Sequence, residues 1–267
     1  MSAPKVLMTP DEGLYEAVKT HLSACEVSVD EKITEAHAIW LSRLRRPGTW
    51  WTGAERIAIA KTARAARDCP LCAAKKEALS PNSVTGEYAV PDDVKAILPH
   101  EIIELVCRAV TDVNRMTKSA IAAIEKVGLD HGHYVEALGL TVVTRNLDTF
   151  CRGLGLPFYD LSFDPVDGEP SRIKPVDAAM GEEFVPMIRS AVPEPPNDDL
   201  WDPKTVGNVY RALSYVPNAH RDTRLLAKVQ YVDIDHLLDF KSNSRALARV
   251  QSEYVASRVS AINECFY

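Results

Sequence analysis

Apolar residues recur along most of this chain at the three-to-four spacing of an amphipathic helix. Leu14, Val18, Leu22 and Cys25 form a first stripe, and Asp11 and Glu12 behind Pro10 suit a helix's first turn. Ile33, His37, Trp40, Leu41 and Leu44 form a second, stopped by Pro47-Gly48. A third helix is predicted over about 52–67, where Ala54, Ile57, Ala58 and Lys61 share a side and Thr52 and Glu55 stand at capping-box spacing. A fourth starts near Pro70 and fades by Leu79-Ser80-Pro81-Asn82, and 80–91 reads as loop. Helices resume over about 99–111, 119–127 and 133–154, the last ending at Gly153-Leu154-Gly155. Thr141-Val142-Val143-Thr144 is β-branched, but the longer helical pattern around it outweighs that preference. With no alternation of strand and helix, the predicted fold class is all-α.

The pattern changes between 156 and 203. Pro157, Pro165, Pro170, Pro175, Pro186, Pro193, Pro195, Pro196 and Pro203 exclude ordinary helix there, because each removes a backbone donor. The segment is predicted to be a connector with one short helix near 182–190. Helical patterning returns over about 206–215, 222–239 and 245–263. A long helix leading into a cysteine thus occurs twice, from Glu55 to Cys69 and from Glu253 to Cys265. The predicted organisation is a helical unit over 1–156, a Pro-rich connector over 157–203 and a partial second unit over 204–267.

Composition narrows the function classes. The chain has 267 residues, 46% hydrophobic and 25% charged, which is ordinary for a globular protein and excludes intrinsic disorder. A net charge of −6 lacks the basic face of a general nucleic-acid binder. No run approaches the ~18 apolar residues of a membrane span. The first residues turn acidic before an apolar segment forms, so no secretory leader is expected and the compartment expected is the cytoplasm. Six Cys are too few for a disulfide-stapled secreted fold.

Two of those cysteines stand as Cys69-Pro70-Leu71-Cys72 at a predicted helix start. There a sulfur faces unsatisfied N–H groups and the positive end of the helix dipole, both of which favour thiolate. The second thiol is placed to resolve a sulfenic acid or a mixed disulfide. Pro70 at the first helical position costs no hydrogen bond. Arg64, Arg67, Lys75 and Lys76 add positive charge, and Asp68 opposes it. Half of a zinc site and inert packing are the competing readings, but zinc needs a second ligand pair, which only His131 and His133 approach.

The helix Trp51-Thr52-Gly53-Ala54-Glu55-Arg56-Ile57-Ala58-Ile59-Ala60 leads to that cysteine pair. Gly128-Leu129-Asp130 with Tyr134-Val135-Glu136 follows, then 146–155 and the tail Val259 to Tyr267. In this order they resemble the alkylhydroperoxidase D-like, carboxymuconolactone decarboxylase family. The resemblance implies an all-helical, homo-oligomeric thiol oxidoreductase, one complete helical bundle followed by a partial second. Its chemistry would be reduction of an organic hydroperoxide, or exchange with a disulfide partner, with no cofactor beyond a redox-active disulfide and no metal. Cys69 and Cys72 match the family's pair, and Cys265 matches its first cysteine in the second unit. The family's relay glutamate falls on Ile57, two residues from Glu55, and in the second unit on Glu253. Its two histidines are replaced, by Leu71 between the cysteines and Lys76 after them. The chain's last residue precedes the position of a second cysteine, and a selenocysteine at 268 is one expectation for it.

Other residues carry weaker signals. Trp51 is expected at the helix entrance or as a wall beside Cys72, and Lys76 near the pair. Arg145 and Asp148, mid-helix in an apolar setting, are either a buried network or a pocket for a small organic acid. Asp130, His131, His133 and Glu136 are expected to cap a helix start rather than bind metal. Cys107 and Cys151 are expected in the core. The alternatives to a thiol peroxidase are a family member acting on a small organic acid and a non-catalytic helical interaction protein.

Overall fold

The computed structural model describes residues 9–201, 207–231, 241, 246–263 and 265. They are predominantly helical. The order begins α1 (Glu12–Leu22), α2 (Glu31–Leu44), α3 (Gly53–Ala65), α4 (Pro70–Glu77), α5 (Asp92–Ile97), α6 (His100–Thr111), α7 (Lys118–Lys126) and α8 (His131–Gly153). After the proline-rich stretch come β1 (Ala178–Ala179), β2 (Met187–Ile188), α9 (Asn208–Arg211), α10 (Pro217–Gln230) and α11 (Arg249–Ile262). Helix α5 is absent from the sequence reading, and the stretch 232–239 of the helix expected over 222–239 lies outside the described residues.

The chain divides into two compact units, Met1–Thr223 and Arg224–Tyr267, and the division falls within α10. In the first unit α3 packs along α8, and α6 packs against both. Ala58, Ala60, Ala63 and Ala66 are buried on and just after α3, where small side chains allow close approach, and Ile59, Ile102 and Leu147 are buried on α3, α6 and α8. The caps follow local chemistry. Thr52 Oγ1 accepts from the Glu55 N–H while Glu55 accepts from the Thr52 N–H at 2.8 Å. Asp130 accepts from the Gly132 N–H at 2.8 Å, and His133 Nδ1 accepts from the Asp130 N–H at 3.0 Å.

Two expectations change. The helix anticipated over 182–190 is instead a bend followed by the two-residue strand β2. Pro186 removes a helical donor, Met187–Ile188 pairs antiparallel with Ala178–Ala179, and the buried Ile188 N–H donates to Ser214 Oγ at 2.9 Å. The proline-rich segment is also not a spacer between units. Three of its donors lie along the turn between α2 and α3: Val166 N–H to the Arg45 carbonyl at 2.7 Å, Ser171 N–H to the Gly48 carbonyl at 3.2 Å, and Arg172 N–H to the Thr49 carbonyl at 2.8 Å. Tyr159 anchors its start with a hydroxyl 2.8 Å from His37 Nδ1. The whole strap lies within the first compact unit, so that unit runs well past residue 156.

Candidate thiol site

Cys69 occupies the N-cap position of α4, with extended backbone, and Pro70 opens the helix. Cys72 follows in the first turn. Helix α4 packs on α6, which carries Cys107. All three cysteines are buried, at 1%, 3% and 1% exposure, and all are free of disulfide bonds. The Cys72 sulfur lies in hydrogen-bond reach of the thiols of both Cys107 and Cys69. The Ala89 N–H donates to Cys69 Sγ at 3.4 Å.

These neighbours set the ionisation order. A hydrogen bond from Cys107, helped by one from Cys69 and by the Lys75 charge, lowers the Cys72 thiol to about 7 against the opposing effect of burial. Cys107 is driven strongly upward, first by that same hydrogen bond to Cys72 and then by burial. Of these two thiols Cys72 is therefore the more acidic, and Cys107 its hydrogen-bond donor. The surrounding wall is polar and braced. Lys75 Nζ sits 5.3 Å from the Tyr88 ring centre and 3.3 Å from Glu104, which Arg108 holds at 2.9 Å. Burial raises the Tyr88 hydroxyl, with Glu104 adding to it, so it stays protonated as a donor.

The other expected site residues lie elsewhere or are already engaged. Glu55 serves the capping box, and ten residues of α3 place it about 15 Å along the axis from the helix end nearest the thiols. Trp51 is buried, and its indole N–H donates to the His133 carbonyl at 2.8 Å at the start of α8. Lys76 is exposed, and its carbonyl accepts from Arg115 at 2.6 Å. Glu253 accepts from the Tyr231 hydroxyl at 2.9 Å and pairs with Arg249 at 2.7 Å in the second unit. Cys265 is exposed, and Glu264, Phe266 and Tyr267 lie outside the described residues. The sequence pattern makes Cys107 an isolated core residue; packing of α4 on α6 brings it to the pair instead.

Asp148 is 1% exposed and held by Arg64 in a two-pronged bond, at 2.7 and 3.1 Å. Arg64 also lines a groove of about 780 Å³ with Lys61, Arg67, Asp68, Arg152 and Phe158. Arg145 is half-buried beside it, its pKa lowered by burial and then by Arg67 and Arg64. No family model, curated protein or solved structure matches the chain. Among the described residues no group of three or more His, Cys, Asp or Glu is arranged to hold a metal ion. No described helix is long and apolar enough to cross a membrane.

Proposed function

We propose that this chain is a thiol-dependent oxidoreductase of the alkylhydroperoxidase-like kind, working through Cys69 and Cys72. The observation that carries the proposal is two free thiols at one helix start, Cys69 at the N-cap of α4 and Cys72 in its first turn, with their neighbours lowering Cys72. The Cys72 thiolate attacks the distal oxygen of an organic hydroperoxide, the O–O bond breaks, and the alcohol leaves with a proton from its surroundings. Cys69 then attacks the Cys72 sulfenic acid, forming the disulfide and releasing water. An external dithiol returns both cysteines to thiols. Tyr88 or Lys75 supplies the proton in place of the absent histidines. A homo-oligomer in the cytoplasm, whose reducing conditions would regenerate the dithiol, completes the reading.

A second reading has one observation in its favour. The groove beside Arg145 holds Lys61, Arg64, Arg67 and Arg152 against Asp68 and Asp160, which suits a small organic acid in a chain of net negative charge. Thiol titration before and after one equivalent of cumene hydroperoxide separates the readings. The peroxidase reading expects loss of two thiols as a mapped disulfide, abolished by Cys72→Ser. Thiols that persist while peroxide is untouched overturn it in favour of the organic-acid or the non-catalytic alternative.

A further inference from the structure

We infer that Cys107 is a third redox residue of this site, closing a disulfide with Cys72 when Cys69 does not. The inference rests on the thiol reading above and extends it to a residue on another helix. Cys72 has a thiol on each side. Cys69 is one turn away in the same segment, and Cys107 reaches it from α6 across the packed interface of α4 and α6. Both Cys72 and Cys107 are almost fully buried, so water competes poorly for a sulfenic acid formed between them.

The two flanking thiols differ in what they do before oxidation. Both hydrogen-bond to Cys72, Cys107 with the larger effect on its thiolate, and Cys69 also accepts from the Ala89 N–H. Peroxide attack changes that relation. Once Cys72 is a neutral sulfenic acid, the leading cause that holds Cys107 protonated is gone, and burial with the nearby Glu104 carboxylate remains. Cys107 then gives up its proton as its sulfur attacks the Cys72 sulfur. The Cys72 S–O bond breaks, the hydroxyl leaves as water, and the S–S bond forms. The only oxidant consumed is the organic hydroperoxide. The same thiol thus acts first as a hydrogen-bond donor and then as a resolving nucleophile.

The test uses the full chain as Cys69→Ser, treated with one equivalent of cumene hydroperoxide, with thiol counting and peptide mapping under non-reducing conditions. The expected result is loss of two thiols and a Cys72–Cys107 cross-link. Adding Cys107→Ala should abolish the cross-link and leave a Cys72 sulfenic acid that dimedone traps. Cys69→Ala provides the same readout without an oxygen at the N-cap. If Cys72 in Cys69→Ser becomes dimedone-reactive while Cys107 stays fully alkylatable, the inference fails and the thiol reading stands. If Cys72 of the wild-type chain does not react at all, both fail.

Discussion

Arg56→Met is the most informative perturbation of the first unit's stability. Arg56 and Glu136 form an ion pair between α3 and α8, with side chains 7% and 2% exposed. Glu136 also accepts from the Trp50 N–H at 2.6 Å. Methionine keeps much of the arginine stem and removes the charge, leaving a buried carboxylate with one donor. Breaking one side of such a pair costs about 3–5 kcal/mol. For a unit of this size each kcal/mol moves Tm by roughly 2–4 °C, so a fall of roughly 6–20 °C is expected. The loss also depends on pH. Burial pushes the Glu136 carboxyl up, and Arg56 and the Trp50 N–H oppose it. Without Arg56 the folded pKa rises further above the unfolded one, so folding takes up a proton and the variant weakens as pH rises. Urea unfolding at pH 5 and pH 8 should give the larger deficit at pH 8. Arg56→Met/Glu136→Gln removes both charges and leaves an acceptor for Trp50, and should recover most of the loss. A single variant within about 1 kcal/mol of wild type, or a double variant worse than the single, would refute the argument.

Three further outcomes follow from the site and the core. Alkylation of Cys72 should rise with pH around a midpoint near 7, and Cys107→Ala should move that midpoint up, as followed by mass spectrometry. His37 is lowered by burial to about 4 from an ordinary 6.5. Its contribution is therefore fully present above 6.5 and is lost as pH falls toward 4, by about 3 kcal/mol in urea titrations; His37→Gln should flatten that loss. Glu55→Ala should cost about 1 kcal/mol through the cap and leave peroxide-dependent thiol loss unchanged; loss of that reaction would restore Glu55 as a relay residue.

Helix periodicity and cap chemistry are local, and they are legible in the sequence. The Thr52–Glu55 box, the Asp130 cap and the Cys69-Pro70 helix start can all be read within four residues of one another. What escapes such reading is long-range. Cys107 on an apolar face of α6 has the same local pattern whether its neighbour is a leucine or a thiol. The available signal is the Glu104–Arg108 pair flanking it, which marks a charged border on that face. Glu136 reads as a first-turn residue, and nothing within α8 indicates that it pairs with Arg56 eighty residues earlier. The proline-rich strap defeats local reading for a related reason. Proline excludes helix but does not prevent extended backbone from donating its remaining N–H groups to a distant loop.

The N-cap position of Cys69 bears on how this protein would respond to selection. Its side chain makes no capping bond, at a position where serine is among the preferred residues. Replacing the sulfur by oxygen should therefore strengthen the start of α4, by up to about 1 kcal/mol, while disarming the cysteine pair. Stability and resolution by Cys69 then pull in opposite directions at one atom. A library screened for heat resistance alone would drift toward the Cys69→Ser exchange, and retaining the thiol would require selection on chemistry.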